Sequence, residues 1–207
     1  MPITKKDAEI QAETIVNKVI SEKTSISELL DAIISKDESI RYPNAIAVEK
    51  ISKEHPSLLY PEWNYFADLL KSKNAFHRSI AITTIANLIN IDDQNKFDAL
   101  FDEYFKHLDD ASVMVSRYLA IQCGTIAKAK PKLKSKITEI LLRIDESQHP
   151  QSRKDLIKGD IIESFGEYCE ELEDRDRITE FVKKQLKSSS PSTVRKAKKF
   201  LSAHSLT

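Results

Sequence analysis

Glycine is nearly missing from this chain, with 3 in 207 residues. Sheets with tight turns and phosphate-cradling loops both need backbone positions where a side chain would clash. The shortage therefore argues against either. Cysteine is scarce too: Cys123 and Cys169 both fall in apolar, helix-like sequence. That excludes a disulfide framework and points to a reducing compartment. Charge of either sign is not in excess, with 32 basic and 32 acidic residues, so no net field draws in nucleic acid or an anionic membrane. No apolar run approaches the roughly 18 residues of a membrane span, and the start MPITKKDAEI lacks the apolar stretch of a secretory leader. The expected location is the cytoplasm. His55, His77, His107, His149 and His204 are widely separated, and none stands at metal-ligand spacing from another histidine or a cysteine. No metal, no cofactor and no catalytic constellation are expected.

What the chain has in abundance is helical periodicity. Its 41% hydrophobic and 31% charged residues are those of a folded protein. Ile15, Val16, Val19 and Ile20 recur at the three-and-four spacing of one apolar face, and Ile26, Leu29, Leu30, Ile33 and Ile34 make a second stripe. Ser25 and Glu28 precede that stripe as a capping box, in which each side chain meets the other residue's free amide. A basic residue then opens helix after helix, trailed by small and apolar residues on the core side. The sets are Arg41 with Ala45, Val48 and Ile51; Arg78 with Ile82, Ile85 and Leu88; Arg117 with Ile121, Gly124 and Ala127; Lys158 with Ile162, Phe165 and Tyr168; and a degraded copy from Arg195. The anchors lie 37, 39, 41 and 37 residues apart. A period between about 20 and 50 residues marks a unit stacked on copies of itself, because one helix pair cannot cover its own apolar face.

Pro61, Pro131, Pro150 and Pro191 stand where helices should begin, Ser190 is placed to cap the last one, and Pro56 is read as closing the helix before it. The predicted fold is all-α, an α-α superhelix of about five helical hairpins behind an N-terminal helix. A single domain over 1–207 is expected, with the capping helix at about 5–22 and repeats at about 25–54, 62–90, 94–129, 131–171 and 174–204.

The run Asp109, Asp110, Ala111, Ser112, Val113, Met114, Val115, Ser116, Arg117, Tyr118, Leu119, Ala120, Ile121, followed by Gly124, Ile126 and Ala127, resembles the turn and second helix of a HEAT repeat. Asn74 to Leu88 and Ser192 to Arg195 are similar, so the resemblance covers roughly residues 25–204. Armadillo-type repeats are a close relative. The resemblance implies a right-handed superhelix whose first helices form the convex side and whose second helices line the concave side. Di-iron hydroxylases built on such repeats carry His-Glu dipeptides, and this sequence has none.

Arg41, Arg78, Arg117, Lys158 and Arg195 read as a structural ladder, each stem packed and each head bonded to loop carbonyls or carboxylates. Gripping phosphates is the competing role. With about 100° per residue, offsets of two, five and nine from each anchor point away from the expected core. Those positions are Pro43, Ile46 and Lys50 after the first anchor, and after the next three they are nine more: Ile80, Thr83 and Asn87, then Leu119, Gln122 and Ile126, then Asp160, Glu163 and Glu167. The neutral centre sits where a solvated face would carry charge, so these nine residues are the candidates for a groove that takes a protein or peptide. The alternative is that adjacent second helices bury one another there. The acidic members, continuing into Glu170 and Glu171, would attract a basic segment, although solubility alone also accounts for them. Trp63, Phe66 and Leu70 share one stripe and read as core. Lys128, Lys130, Lys132, Lys134 and Lys136 scatter around a helix rather than forming a phosphate groove.

The function expected is a non-enzymatic scaffold or adaptor that binds a protein or peptide on its concave face. The rival is an enzyme acting on DNA, since alkylpurine DNA glycosylases include helical solenoids of similar length. The neutral chain and the acidic fourth repeat weigh against that rival.

Overall fold

The computed structural model describes residues 3–169 and 175–204. The fold is all-α, with no strand among the described residues. The chain divides into two compact units, Met1–Lys96 and Phe97–Thr207. The boundary falls at the start of the third expected repeat.

In the first unit, α1 (Lys5–Ile20) is followed by α2 (Ile26–Ile33) and α3 (Glu38–Glu54), then the single turn α4 (Pro56–Leu59), α5 (Trp63–Leu69) and α6 (Ala75–Leu88). Side-chain caps set most of these starts. Thr4 accepts from the Asp7 amide, Asp37 from Ser39 and Asn74 from Phe76. Ser25 and Glu28 close the reciprocal box, with the Ser25 amide donating to Glu28 Oε2 at 2.8 Å. The bond from the Ser39 hydroxyl, with help from its amide, holds the Asp37 carboxyl below its ordinary pKa. Pro56 follows the end of α3 at Glu54, as expected, and also opens α4, because its missing amide proton costs nothing at a first helical position. α3 is the centre of this unit, with α1 and α6 packed on it and α2 and α5 backing α3 and α6. Trp63, Phe66 and Leu70 are buried as the stripe required.

The second unit contains all but the first residue of α7 (Lys96–Phe105), and then α8 (Val113–Ala129), α9 (Lys134–Leu142), α10 (Gln151–Phe165), α11 (Arg175–Lys184) and α12 (Pro191–Ala203). Helices α8, α10 and α12 pack in succession, α8 against α10 and α10 against α12. α9 lies against α8, and α11 against α12. Aromatic residues fill the space behind them. Phe97, Phe101, Tyr104 and Phe105 form edge and stacked pairs along α7, and Phe165 meets Tyr168 and Phe181 edge-on. The Tyr168 hydroxyl pairs with Thr138 Oγ1 at 3.0 Å, which satisfies two buried polar groups at once.

Two glycines lie at these helix crossings, and the second sets how closely α10 and α12 approach. Ser164 of α10 donates its hydroxyl to the Ala120 carbonyl and accepts from the Gly124 amide, inserting into the backbone of α8. A Cβ on Gly124 would meet the Glu167 carboxylate at 2.6 Å. At the next crossing a Cβ on Gly159 would lie 2.6 Å from Thr193 Oγ1, whose proton goes to the Asp155 carbonyl. The Asp155 carboxylate is buried, which alone would raise its pKa. Bonds from Ser189 and Gln151 outweigh that and hold it below the ordinary value.

Candidate functional site

Four of the five anchor cations bond within their own unit, in two registers. Arg41 Nη1 donates to the Ser35 carbonyl at 2.9 Å and Arg78 Nη1 to the Ser72 carbonyl at 2.7 Å, each reaching six residues back to close its own loop. Arg117 instead crosses to α10, giving Nε to Asp160 Oδ2 at 2.7 Å. Lys158 is buried against Asp145 of the loop before its helix. The last copy shifts by one residue: Arg195 is exposed, and Lys196 makes the inter-helix contact, bonding Asp160 at 2.8 Å and Glu163 at 2.8 Å. Asp160, 1% exposed, is thereby clamped from both sides, by α8 and by α12. Its carboxylate lifts the pKa of Arg117, and it lifts that of Lys196 against the opposing effect of burial.

That clamp corrects part of the expected groove. Asp160 is no surface acid, Glu163 is paired with Lys196, and Glu167 is paired with Lys128 at 2.7 Å. The acids are answered within the unit. Glu170 and Glu171 lie outside the described residues.

The neutral centre of the groove is corrected as well. Leu119 and Ile126 are 0% exposed, and Ile80, Thr83, Asn87 and Gln122 are all buried. The reason is that these helices are packed within their own units, α6 against α3 and α5, and α8 against α10 and α9. α6 shows the extreme: every residue from Ser79 to Leu88 is buried, and Asn87 donates to Ser52 Oγ of α3 at 2.8 Å. Ile80, Thr83 and Asn87 are therefore packing residues.

The open strip on α8 lies on the other side of the helix. Met114, Tyr118 and Ile121 are 41%, 39% and 43% exposed, spaced by four and three residues on one stripe. Ile121 had been expected in the core. Together with Val113 and Arg117, and with Arg153 and Leu156 of α10, they line a cleft of about 380 Å³ between the two helices. A second cleft of about 330 Å³ follows between α10 and α12, floored by Ile162 and Phe200 and edged by Lys199 and His204. Sequence reasoning missed the first cleft, yet its signal was there. α8 carries only two charged residues, Arg117 and Lys128, and has more apolar positions than one buried face can use.

The described residues hold little catalytic equipment. Cys123 is fully buried, and burial pushes its thiol pKa far above the ordinary value, away from reactivity. Cys169 Sγ lies 3.9 Å from His204 Nε2 but is itself fully buried. Ser116 Oγ meets His149 Nε2 at 2.9 Å, and Ser116 too has no exposed surface. No group of three or more His, Cys, Asp or Glu able to hold a metal ion occurs among the described residues. No helix among them is long and apolar enough to cross a membrane.

No protein-family model matches the chain, and no curated protein matches it. Among solved structures, the chain is similar to the crystal structure of an engineered protein determined by the Northeast Structural Genomics Consortium. The identity is 17% and the TM-score 0.52, over 96% of this chain and 88% of that one. At that identity the likeness concerns fold alone.

Proposed function

We propose that the protein is a non-enzymatic binding module of HEAT-like build, a cytoplasmic scaffold or adaptor that takes a protein or peptide on the open strip of its second helices. The observation that carries this is the Met114–Tyr118–Ile121 stripe at the α8–α10 cleft. Isolated exposed apolar residues are ordinary, but a contiguous set flanked by polar groups marks an interaction surface. Three large side chains on successive turns, with Leu156 across the cleft, make such a set, and the arginines supply the polar rim.

The test is selection from a displayed random peptide library against the full chain and against a Met114→Glu, Ile121→Glu double variant. Sequences retained by the parent and lost by the variant are expected. A library that yields nothing sensitive to these substitutions contradicts the reading. Duplex DNA bound near physiological salt, with the strong salt dependence of phosphate contacts, would favour the DNA-acting alternative instead.

A further inference from the structure

The charge around the α8–α10 cleft carries the reading one step further, to the chemistry of the partner. The cleft lining contains two arginines, Arg117 and Arg153, and no carboxylate. The acid bonded to this lining, Asp160, is buried and already shared between Arg117 and Lys196, and Glu163, which also acts on Arg117, is paired with Lys196. Arg117 spends Nε and Nη2 on Asp160, which leaves Nη1 without a partner among the described residues. Arg153 is exposed and forms no ion pair among them. It stands in the first turn of α10, whose N-cap is Pro150 and which receives no side-chain capping bond. The positive end of that helix adds to the same sign. The apolar floor and cationic rim together suit a ligand that is apolar at one point and anionic beside it.

Resting on the binding-module reading, we infer that the α8–α10 cleft docks an acidic peptide segment: one large apolar side chain seats between Met114, Ile121 and Leu156, and flanking aspartates or glutamates meet Arg153 and Arg117. The partner is thus opposite in charge to the basic segment that the acids of α10 suggested. A guanidinium suits this role, because its planar fork takes a carboxylate through two parallel hydrogen bonds.

The test uses fluorescent twelve-residue peptides and polarisation at low salt. One peptide carries a central leucine flanked by glutamates, a second replaces the glutamates by lysines, and a third replaces the leucine by serine. The acidic leucine peptide is expected to bind, and the other two to bind at least about tenfold more weakly. Arg153→Glu, at a site with no ion pair to disturb, should weaken the acidic peptide by about fivefold or more without lowering the melting temperature, since a carboxylate suits the first turn of a helix. Raising the salt should weaken it in parallel. Equal or tighter binding of the lysine peptide, or indifference to Arg153→Glu, overturns the inference. So does competition by an oligonucleotide, or a concentration-dependent dimer of the chain that Ile121→Glu abolishes. The two readings fail separately. Library peptides that depend on Met114 and Ile121 but carry no acids remove the acidic partner and keep the binding module; no dependent peptide at all removes both.

Discussion

Leu119→Asp and Ile126→Asp are expected to unfold the second unit, not to trim a surface. Both residues have no exposed area. Truncating a buried leucine or isoleucine to alanine costs about 2–5 kcal/mol, and an unpartnered carboxylate in the same place adds to that. A domain holds only about 5–15 kcal/mol in total. Each single substitution should lower the helical melting transition by about 15 °C or more, and the pair should leave the second unit unfolded at room temperature. The matched control is Met114→Glu with Ile121→Glu, on the same helix but on its open strip. There the stability change should stay within about 0.5 kcal/mol per site. Circular dichroism melts of the full chain measure both. Equal destabilisation by the two pairs would mean that the faces of α8 have been assigned wrongly.

Gly159→Val is the second large effect. The added Cβ would lie 2.6 Å from Thr193 Oγ1 and 3.4 Å from the Thr193 backbone, so relief requires α12 to move away from α10. Overpacking of this kind costs about 1–3 kcal/mol, and losing the Thr193 bond to the Asp155 carbonyl adds about 1 kcal/mol. Gly124→Ala should behave differently. Its Cβ meets the far end of Glu167, a flexible and partly exposed side chain that can swing off at the loss of its surface pair with Lys128. Removing a mid-helix glycine returns about 0.5–1 kcal/mol. Near-neutrality is the expected outcome at position 124, and a loss of about 3 kcal/mol at position 159. Thr193→Ala should recover part of the loss at 159, because the two sites share one contact. Denaturant melts of the single and double variants give each value. Independent, additive effects would contradict the close crossing of α10 and α12.

How much of this was legible beforehand depends on which physical signal each feature leaves in the sequence. Helix limits were legible where the signal is local: the repeat expected to end near 54 closes with α3 at Glu54, and α12 starts at Pro191 behind Ser190. The reciprocal Ser25 and Glu28 contact followed from two residue types three positions apart. The orientation of the second helices was not legible, because orientation depends on neighbours distant in sequence. The offsets of two, five and nine from the anchor fall on the buried side of α8, at Leu119, Gln122 and Ile126, whereas on α10 they fall on exposed Glu163 and Glu167 beside buried Asp160, so one register does not orient both helices. Asp160 escaped the reading for another reason. Nothing in a list of acids shows that two cations, 43 residues before and 36 residues after it, close over one of them.

The central claim is that α8 offers Met114, Tyr118 and Ile121 to a partner and keeps Leu119 and Ile126 inside. Single cysteines at positions 114, 121, 119 and 126, reacted with a maleimide under native conditions, test it most directly, because the native Cys123 and Cys169 are buried and give a low background. Rapid labelling at 114 and 121, at rates near those of the unfolded chain, with protection at 119 and 126 that disappears in denaturant, is the result this account predicts. Protection at 114 and 121, or equal labelling at all four positions of a folded chain, would contradict it.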